Sequence, residues 1–162
     1  MGEIPNVRTG WGFDAHRFSG SGPLLLAGVT VDDDRGLEGT SDADAVAHAV
    51  CDALLGASAQ GDIGTHFPSS DPRSIDADSM ELLGVVSAMI HDRGWRVGNV
   101  DVTVVSESVR VAPHREAMRL NLARVLGLDV ETVSVKATTT DGMGSIGADE
   151  GIAATAVTTL YR

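Results

Sequence analysis

The chain has one cysteine and one lysine, and none of its apolar runs approaches the length of a membrane span. A spanning helix needs roughly 20 consecutive apolar residues, so a soluble protein is expected. The single cysteine, Cys51, excludes an intrachain disulfide. It lies within an apolar helical pattern and reads as a buried core thiol, which suits a reducing cytoplasm. Met1 to Gly10 carries no long apolar stretch after a basic start, so no secretory signal is expected. Lys136 is the sole lysine and the formal net charge is −11, which argues against nucleic-acid or anionic-membrane partners. A phosphorylated small molecule stays compatible, provided that metal ions, helix N-termini and a few placed cations hold it. There is no Walker loop, no GxSxG elbow, and no sign of an activated cysteine.

What is present is a chain of 162 residues with 43% apolar content, enough for a real core. It has no internal repeat, charge block or low-complexity linker, so residues 1–162 are expected to form a single domain. Strands are predicted near Arg8 to Phe18 and through Leu24 to Gly28, with a turn over Asp32 to Gly36. Thr40-Ser41-Asp42-Ala43-Asp44 supplies hydroxyl caps and acidic first-turn residues for a helix running to about Ala59. Its apolar stripe is Val46, Ala49, Val50, Ala53 and Leu54. A loop is expected from Gly61 to Pro72, and a second helix from Asp78-Ser79 to Arg93-Gly94. A strand follows within Trp95 to Ser106, where Val100, Val102 and Val104 alternate. Pro113 suits the first turn of a third helix, which Gly127 ends. Val133 to Thr138 and Ile152 to Tyr161 read as further strands, joined by a glycine-rich loop. Interleaved strands and helices predict an α+β sandwich, a mixed sheet with helices on one face.

Asp14-Ala15-His16 is the sharpest chemical signal. Residues two apart on a strand share a face, so Asp14 and His16 converge. With His48 from the first long helix they make an oxygen and two imidazole nitrogens, a normal zinc set with a fourth position open. Asp44 and Asp52 flank His48 at i−4 and i+4, and either is placed to orient its ring. The plain alternative is a helical histidine satisfied by a neighbouring carboxylate. The helix start at Ser41-Asp42 offers unpaired backbone N–H groups to a phosphate, or is an ordinary cap. Asp62, in Asp62-Ile63-Gly64, is a turn former or a ligand for a sugar-like hydroxyl. In Lys136-Ala137-Thr138-Thr139-Thr140-Asp141-Gly142 a strand ends in three hydroxyls and a carboxylate. Those groups could cradle phosphates, with Asp141 on Mg²⁺, or reflect β-propensity alone. The chemistry these parts fit best is metal-assisted attack at phosphorus.

In this order the motifs resemble the 2-C-methyl-D-erythritol 2,4-cyclodiphosphate synthase family of non-mevalonate isoprenoid biosynthesis. The matching pieces include Gly12-Phe13-Asp14-Ala15-His16, Ser41-Asp42-Ala43-Asp44 with His48, Asp52-Ala53-Leu54-Leu55-Gly56 and Gly61-Asp62-Ile63-Gly64. Phe67-Pro68, Gly98-Asn99-Val100-Asp101, Pro113-His114, Lys136-Ala137-Thr138-Thr139-Thr140 and Glu150-Gly151 continue the set over nearly the whole chain.

The resemblance implies a cytoplasmic homotrimer around a β-prism core, with active sites between subunits and no nucleic-acid or membrane partner. It implies conversion of 4-diphosphocytidyl-2-C-methyl-D-erythritol 2-phosphate into the cyclic diphosphate with release of CMP. Carried over by motif, Asp14, His16 and His48 are the zinc ligands, and Asp141 holds a second divalent ion, Mg²⁺ or Mn²⁺, on the diphosphate. Those four residues and Thr139 form the implied catalytic set. Thr40, Ser41, Asp62, Gly64, Ser106, Arg110, Ala112, Thr138 and Thr139 are the implied substrate contacts.

Five positions depart from the pattern the resemblance leads one to expect. Thr40 stands for the usual His, Ser69 for a frequent Asp, Val109 for Pro, Asp141 for Glu and Ala148 for Arg. Ala148 puts phosphate binding in the trimer's axial cavity in doubt, and Glu150 is expected to lose a partner. Thr40 and Ala148 motivate a rival reading, a catalytically weak, metal-stabilised binding or scaffold trimer.

Overall fold

A computed structural model describes residues 6–162. The first five positions of the segment read as lacking a secretory signal, Met1 to Pro5, lie outside the described residues. Strand β1 (Val7–Ser19) opens the fold and is followed by β2 (Leu24–Leu26), β3 (Val29–Asp32) and β4 (Gly36–Leu37). Helix α1 (Ala45–Ala57), the short α2 (Ile63–His66) and α3 (Ser79–Asp92) come next. Then follow β5 (Arg96–Val105), α4 (Arg115–Leu126), β6 (Val133–Thr138), the short α5 (Gly144–Gly147) and β7 (Gly151–Tyr161). Five strands form one mixed sheet in the order β4-β1-β7-β5-β6, and β2 and β3 form a separate hairpin. β7 runs antiparallel to both neighbours, whereas β5 and β6 are parallel. The alternating burial of β5 and β7 packs Val100, Val102, Val104, Ile152, Ala154, Ala156 and Leu160 against the helices.

The predicted sandwich is therefore found, with several local differences. Helix α1 stops at Ala57 rather than Ala59, because Ala59 turns to φ +59. The expected strand through Gly28 ends at Leu26, where Ala27 and Gly28 at φ +51 and +70 make the hairpin turn into β3. The Gly61–Pro72 loop contains α2, capped by the Asp62 carboxylate, which accepts from the Thr65 N–H at 2.8 Å. A single 3₁₀ turn at Ala112–His114 holds Pro113, and α4 starts after it. Gly127 ends α4 as predicted, in the left-handed conformation at φ +66.

Two glycines set the contact that matters most. Gly10 and Gly12 face α1, and a Cβ on either would fall within 2.0 Å of the Ala53 or Ala49 carbonyl oxygen. Their missing side chains let the small face of α1, Ala49, Ala53 and Ala57, lie directly on the β1 backbone. The opposite face of β1 is exposed and carries Val7, Trp11 and Phe13, joined by Val157 and Tyr161 of β7. Cys51 is fully buried in α1, and burial pushes its thiol well above the ordinary range, so it is an inert core residue.

Candidate functional site

Close packing of α1 on β1 puts His48 beside Asp14 and His16, which share the helix-facing side of the strand. The Asp14 carboxylate oxygen Oδ2 lies 2.8 Å from His16 Nε2 and 2.9 Å from His48 Nδ1. His16 Nε2 and His48 Nδ1 are 3.4 Å apart. One oxygen and two nitrogens thus converge, all half-buried, the only such grouping among the described residues. The remaining nitrogens are occupied. His16 Nδ1 donates to the Glu38 carbonyl at 2.7 Å, and His48 Nε2 meets the hydroxyls of Ser79 at 2.9 Å and Ser41 at 3.1 Å. This donor set fits a divalent, zinc-like cation. Both rings are anchored through one nitrogen and present the other, as zinc-ligating histidines do.

Electrostatics agree with that reading. Burial alone would raise the Asp14 pKa, yet hydrogen bonds and charge from His16 and His48 outweigh it and hold the carboxyl well below its usual range. Burial is the largest single influence on His16 and would lower its pKa. The hydrogen bond and charge of Asp14, with the bond to the Glu38 carbonyl and the Asp44 charge, together raise it above the ordinary value. Two of the predicted orienting residues do other work. Asp44 is fully buried as the α1 cap, accepting from the amides of Ala27, Gly28, Val46 and Ala47. Asp52 accepts from the Ile63 N–H at 2.7 Å and so fixes α2. Position i±4 on a helix brings side-chain origins near, but stronger backbone donors turned both carboxylates away from His48.

Of the two readings of the helix start, the ordinary cap is the one found. The amides of Ala43, Asp44, Val46 and Ala47 all have side-chain acceptors. What remains available there are hydroxyls. Thr40, Ser41 and Gly64 line a cavity of about 240 Å³ with His16 and His48. Asp62 caps α2 next to Gly64 and is not among the lining residues.

A second cleft, of about 550 Å³, gathers Ser106, Arg110, Ala112, Thr138 and Thr139, all predicted as contacts, between the end of β6 and the segment after β5. Both clefts open at one end of the sheet: β1, β5 and β6 run the same way, and His16 pairs with Ile152 while Val105 pairs with Ala153. The two share no lining residue within the chain. Asp141 sits beyond the second cleft in an exposed turn at φ +52, its carboxylate 3.3 Å from Thr139 Oγ1.

Glu107 was not singled out in the sequence. Its carboxylate accepts from Thr140 N–H at 2.8 Å, Thr140 Oγ1 at 2.9 Å and Gly142 N–H at 3.3 Å, so it holds the Thr139–Asp141 turn against the cleft. No local pattern announces such a residue, since its partners lie more than 30 positions away. The lone Lys136 is not part of either cleft; it bonds Asp101 on the adjacent strand at 2.6 Å. Glu150 keeps a cationic neighbour despite Ala148, with Arg17 at 3.4 Å, while Arg35 bonds Asp149 at 3.0 Å.

The sequence model of the YgbB family matches residues 7–161. The 2-C-methyl-D-erythritol 2,4-cyclodiphosphate synthase of Thioalkalivibrio sulfidiphilus is 50% identical over 154 residues, covering 95% of this chain and 96% of the relative. The protein of the same name from Syntrophomonas wolfei is 51% identical over 156 residues, covering 96% and 99%. Among solved structures, the bifunctional IspDF of Campylobacter jejuni superposes with a TM-score of 0.94 at 40% identity. That match covers 98% of this chain and 43% of the larger protein. The CDP complex of Plasmodium falciparum IspF gives a TM-score of 0.84 at 28% identity, covering 98% of each chain.

Proposed function

The chain belongs to the YgbB family, and on that premise we propose that it is a metal-dependent 2-C-methyl-D-erythritol 2,4-cyclodiphosphate synthase. It converts 4-diphosphocytidyl-2-C-methyl-D-erythritol 2-phosphate to the cyclic diphosphate and CMP, a step of non-mevalonate isoprenoid precursor synthesis. The observation that carries this reading is the convergence of Asp14 Oδ2, His16 Nε2 and His48 Nδ1 at the wall of a hydroxyl-lined cavity. These three residues hold zinc, and a divalent ion bound there supplies Lewis-acid neutralisation of phosphate charge.

In the reaction, an oxygen of the substrate's 2-phosphate attacks the β-phosphorus of the diphosphate. The bond from that phosphorus to the bridging oxygen breaks, and CMP departs with the electron pair. No covalent enzyme intermediate is needed, so the protein contributes position and electrostatics. Thr40 and Ser41 offer hydroxyls to the 2-phosphate, and Asp62 and Gly64 border the methylerythritol end. Ser106, Arg110, Ala112, Thr138 and Thr139 receive the cytidine diphosphate in the second cleft, and the similarity to a Plasmodium falciparum IspF solved as a CDP complex supports a cytidine nucleotide as the ligand class. Arg110 and Arg115 bring cationic charge to that cleft in a chain of net −11. Thr139 and Asp141 stand where the diphosphate would pass, with Asp141 the ligand for Mg²⁺ or Mn²⁺.

The assembly is a homotrimer. The exposed Trp11, Phe13, Val7, Val157 and Tyr161 form an apolar sheet face of the kind soluble chains bury against a partner. A β-prism built from three such faces would bring the zinc cavity of one subunit to the nucleotide cleft of another. No helix among the described residues is long and apolar enough to cross a membrane, and we assign the protein to the cytoplasm.

Incubation of purified protein with the cytidylylated substrate and a divalent metal tests the proposal. Metal-dependent appearance of CMP and cyclic diphosphate together is the expected result. CMP with an acyclic product would instead indicate hydrolysis, and zinc binding without turnover would favour the scaffold reading.

A further inference from the structure

We propose that Asp42 and Ser79 form a relay behind His48 that fixes its tautomer and commits Nδ1 to the metal, an inference that rests on the Asp14–His16–His48 metal site. A neutral imidazole has one donor and one acceptor nitrogen. His48 turns Nδ1 to Asp14 and His16, at 2.9 and 3.4 Å, so a cation there meets Nδ1 and Nε2 must carry the proton. That N–H needs an acceptor. Ser79 Oγ lies 2.9 Å from Nε2, and the same oxygen makes a very close hydrogen bond to Asp42 Oδ1. A carboxylate only accepts, so the Ser79 proton goes to Asp42 and a Ser79 lone pair is left for the His48 N–H.

Asp42 is itself fixed for this task. Its Oδ2 accepts from the Ser79 backbone N–H at 3.1 Å, and its Oδ1 from the Asp44 N–H at 3.3 Å. Ser79 is fully buried at the first position of α3, so water is not at hand to replace it. The second hydroxyl near Nε2, Ser41 at 3.1 Å, also lies 3.3 Å from Ser79 Oγ and lacks a carboxylate to take its proton. Only Ser79 is thus locked as an acceptor. The arrangement inserts a serine between the carboxylate and the imidazole of the usual carboxylate–histidine–metal pattern. It also ties the start of α3 to a site otherwise built from β1 and α1, and it replaces the role that neither Asp44 nor Asp52 fulfils.

The near-isosteric Asp42→Asn variant separates the relay from simple packing. Its amide oxygen replaces only one of the two carboxylate oxygens, and with the amide N–H turned to Ser79 Oγ the hydroxyl proton is free to turn to His48. Zinc affinity, read by competition with a chromogenic chelator, is expected to fall about 10- to 100-fold in Asp42→Asn and in Ser79→Ala, and to return in Ser79→Thr. In the zinc-loaded protein, proton NMR should find the His48 Nε2–H slow to exchange in the parent and faster to exchange in Asp42→Asn. Unchanged zinc affinity in both variants, a loss confined to Ser79→Ala, or a His48 Nε2–H that exchanges fast in the zinc-loaded parent overturns the relay. A parent protein that takes up no zinc would instead defeat the metal-site reading and the relay with it, an outcome distinct from zinc uptake that the two variants leave unchanged.

Discussion

Substituting Gly12 with alanine probes the contact on which the whole site depends. The added Cβ would lie 2.0 Å from the Ala49 carbonyl oxygen and 2.7 Å from the Ala53 nitrogen, both backbone atoms that cannot rotate away. Ordinary contact between heavy atoms begins near ~3.5 Å, so α1 and β1 must separate by about 1.5 Å at this point. Ala49 follows His48 in sequence, and Asp14 lies two residues beyond Gly12 on the same face of β1. A displacement of that size moves His48 Nδ1 relative to Asp14 Oδ2, now 2.9 Å away, far beyond the ~0.2 Å tolerance of metal–ligand distances. Gly12 does not occupy the left-handed region, so the alanine backbone itself is unstrained and the effect is steric. Overpacking costs about 1–3 kcal/mol, and the reduced entropy of the unfolded chain returns about 0.4–1 kcal/mol of it. The net loss of roughly 1–2 kcal/mol should lower the melting temperature of the metal-free protein by about 2–8 °C. Zinc affinity should fall by at least about tenfold. Gly20→Ala is the control, because nothing lies within 4 Å of its added carbon. If Gly12→Ala bound zinc like the parent and melted no lower, the reasoning from close packing would be refuted.

Three further outcomes follow from the charge and surface arrangement. In the metal-free protein the raised His16 pKa contributes stability that is complete below the ordinary histidine value of ~6.5 and is lost as pH rises through the raised one. The depressed Asp14 pKa contributes stability present above ~3.9 and lost as pH falls toward its lower value, so melting temperature should peak between about pH 4 and 6.5; a flat profile would count against the pair. Trp11→Glu places a charge in the exposed apolar face and should convert the proposed trimer to smaller species in light scattering, whereas a mass equal to the parent's would remove that face from the interface. Glu107→Ala releases the Thr140 and Gly142 amides and should raise KM for the cytidylylated substrate while leaving zinc content unchanged; the reverse pattern would show that the turn does not serve the nucleotide cleft.

The fold was legible wherever local periodicity and burial agreed. Val100, Val102 and Val104 alternate and are buried, and Val46, Ala49, Val50, Ala53 and Leu54 form the stripe that packs α1 on the sheet. Asp14 and His16 could be paired from strand geometry alone, and His48 follows from its place on α1. What brings these two elements together was less visible. Gly10 and Gly12 have no periodic signature, and their meaning lies in the Ala49 and Ala53 carbonyls more than 35 positions away. The same limit explains the misjudged carboxylates. Asp44 and Asp52 stand one helical turn either side of His48, yet amides from Ala27, Gly28 and Ile63, supplied by other parts of the fold, capture them first. The residues that do support His48, Ser79 and Asp42, read in the sequence as ordinary caps, because a cap is a local pattern and a relay is a tertiary one. Glu107 and Ser79 share that property: each acts on a partner more than 30 residues distant through a bond that only packing creates. Metal ligands can be found from sequence because their chemistry restricts them to a few residue types. The groups that aim those ligands are common serines and carboxylates, and the close approach of α1 to β1 and α3 is what gives them their function.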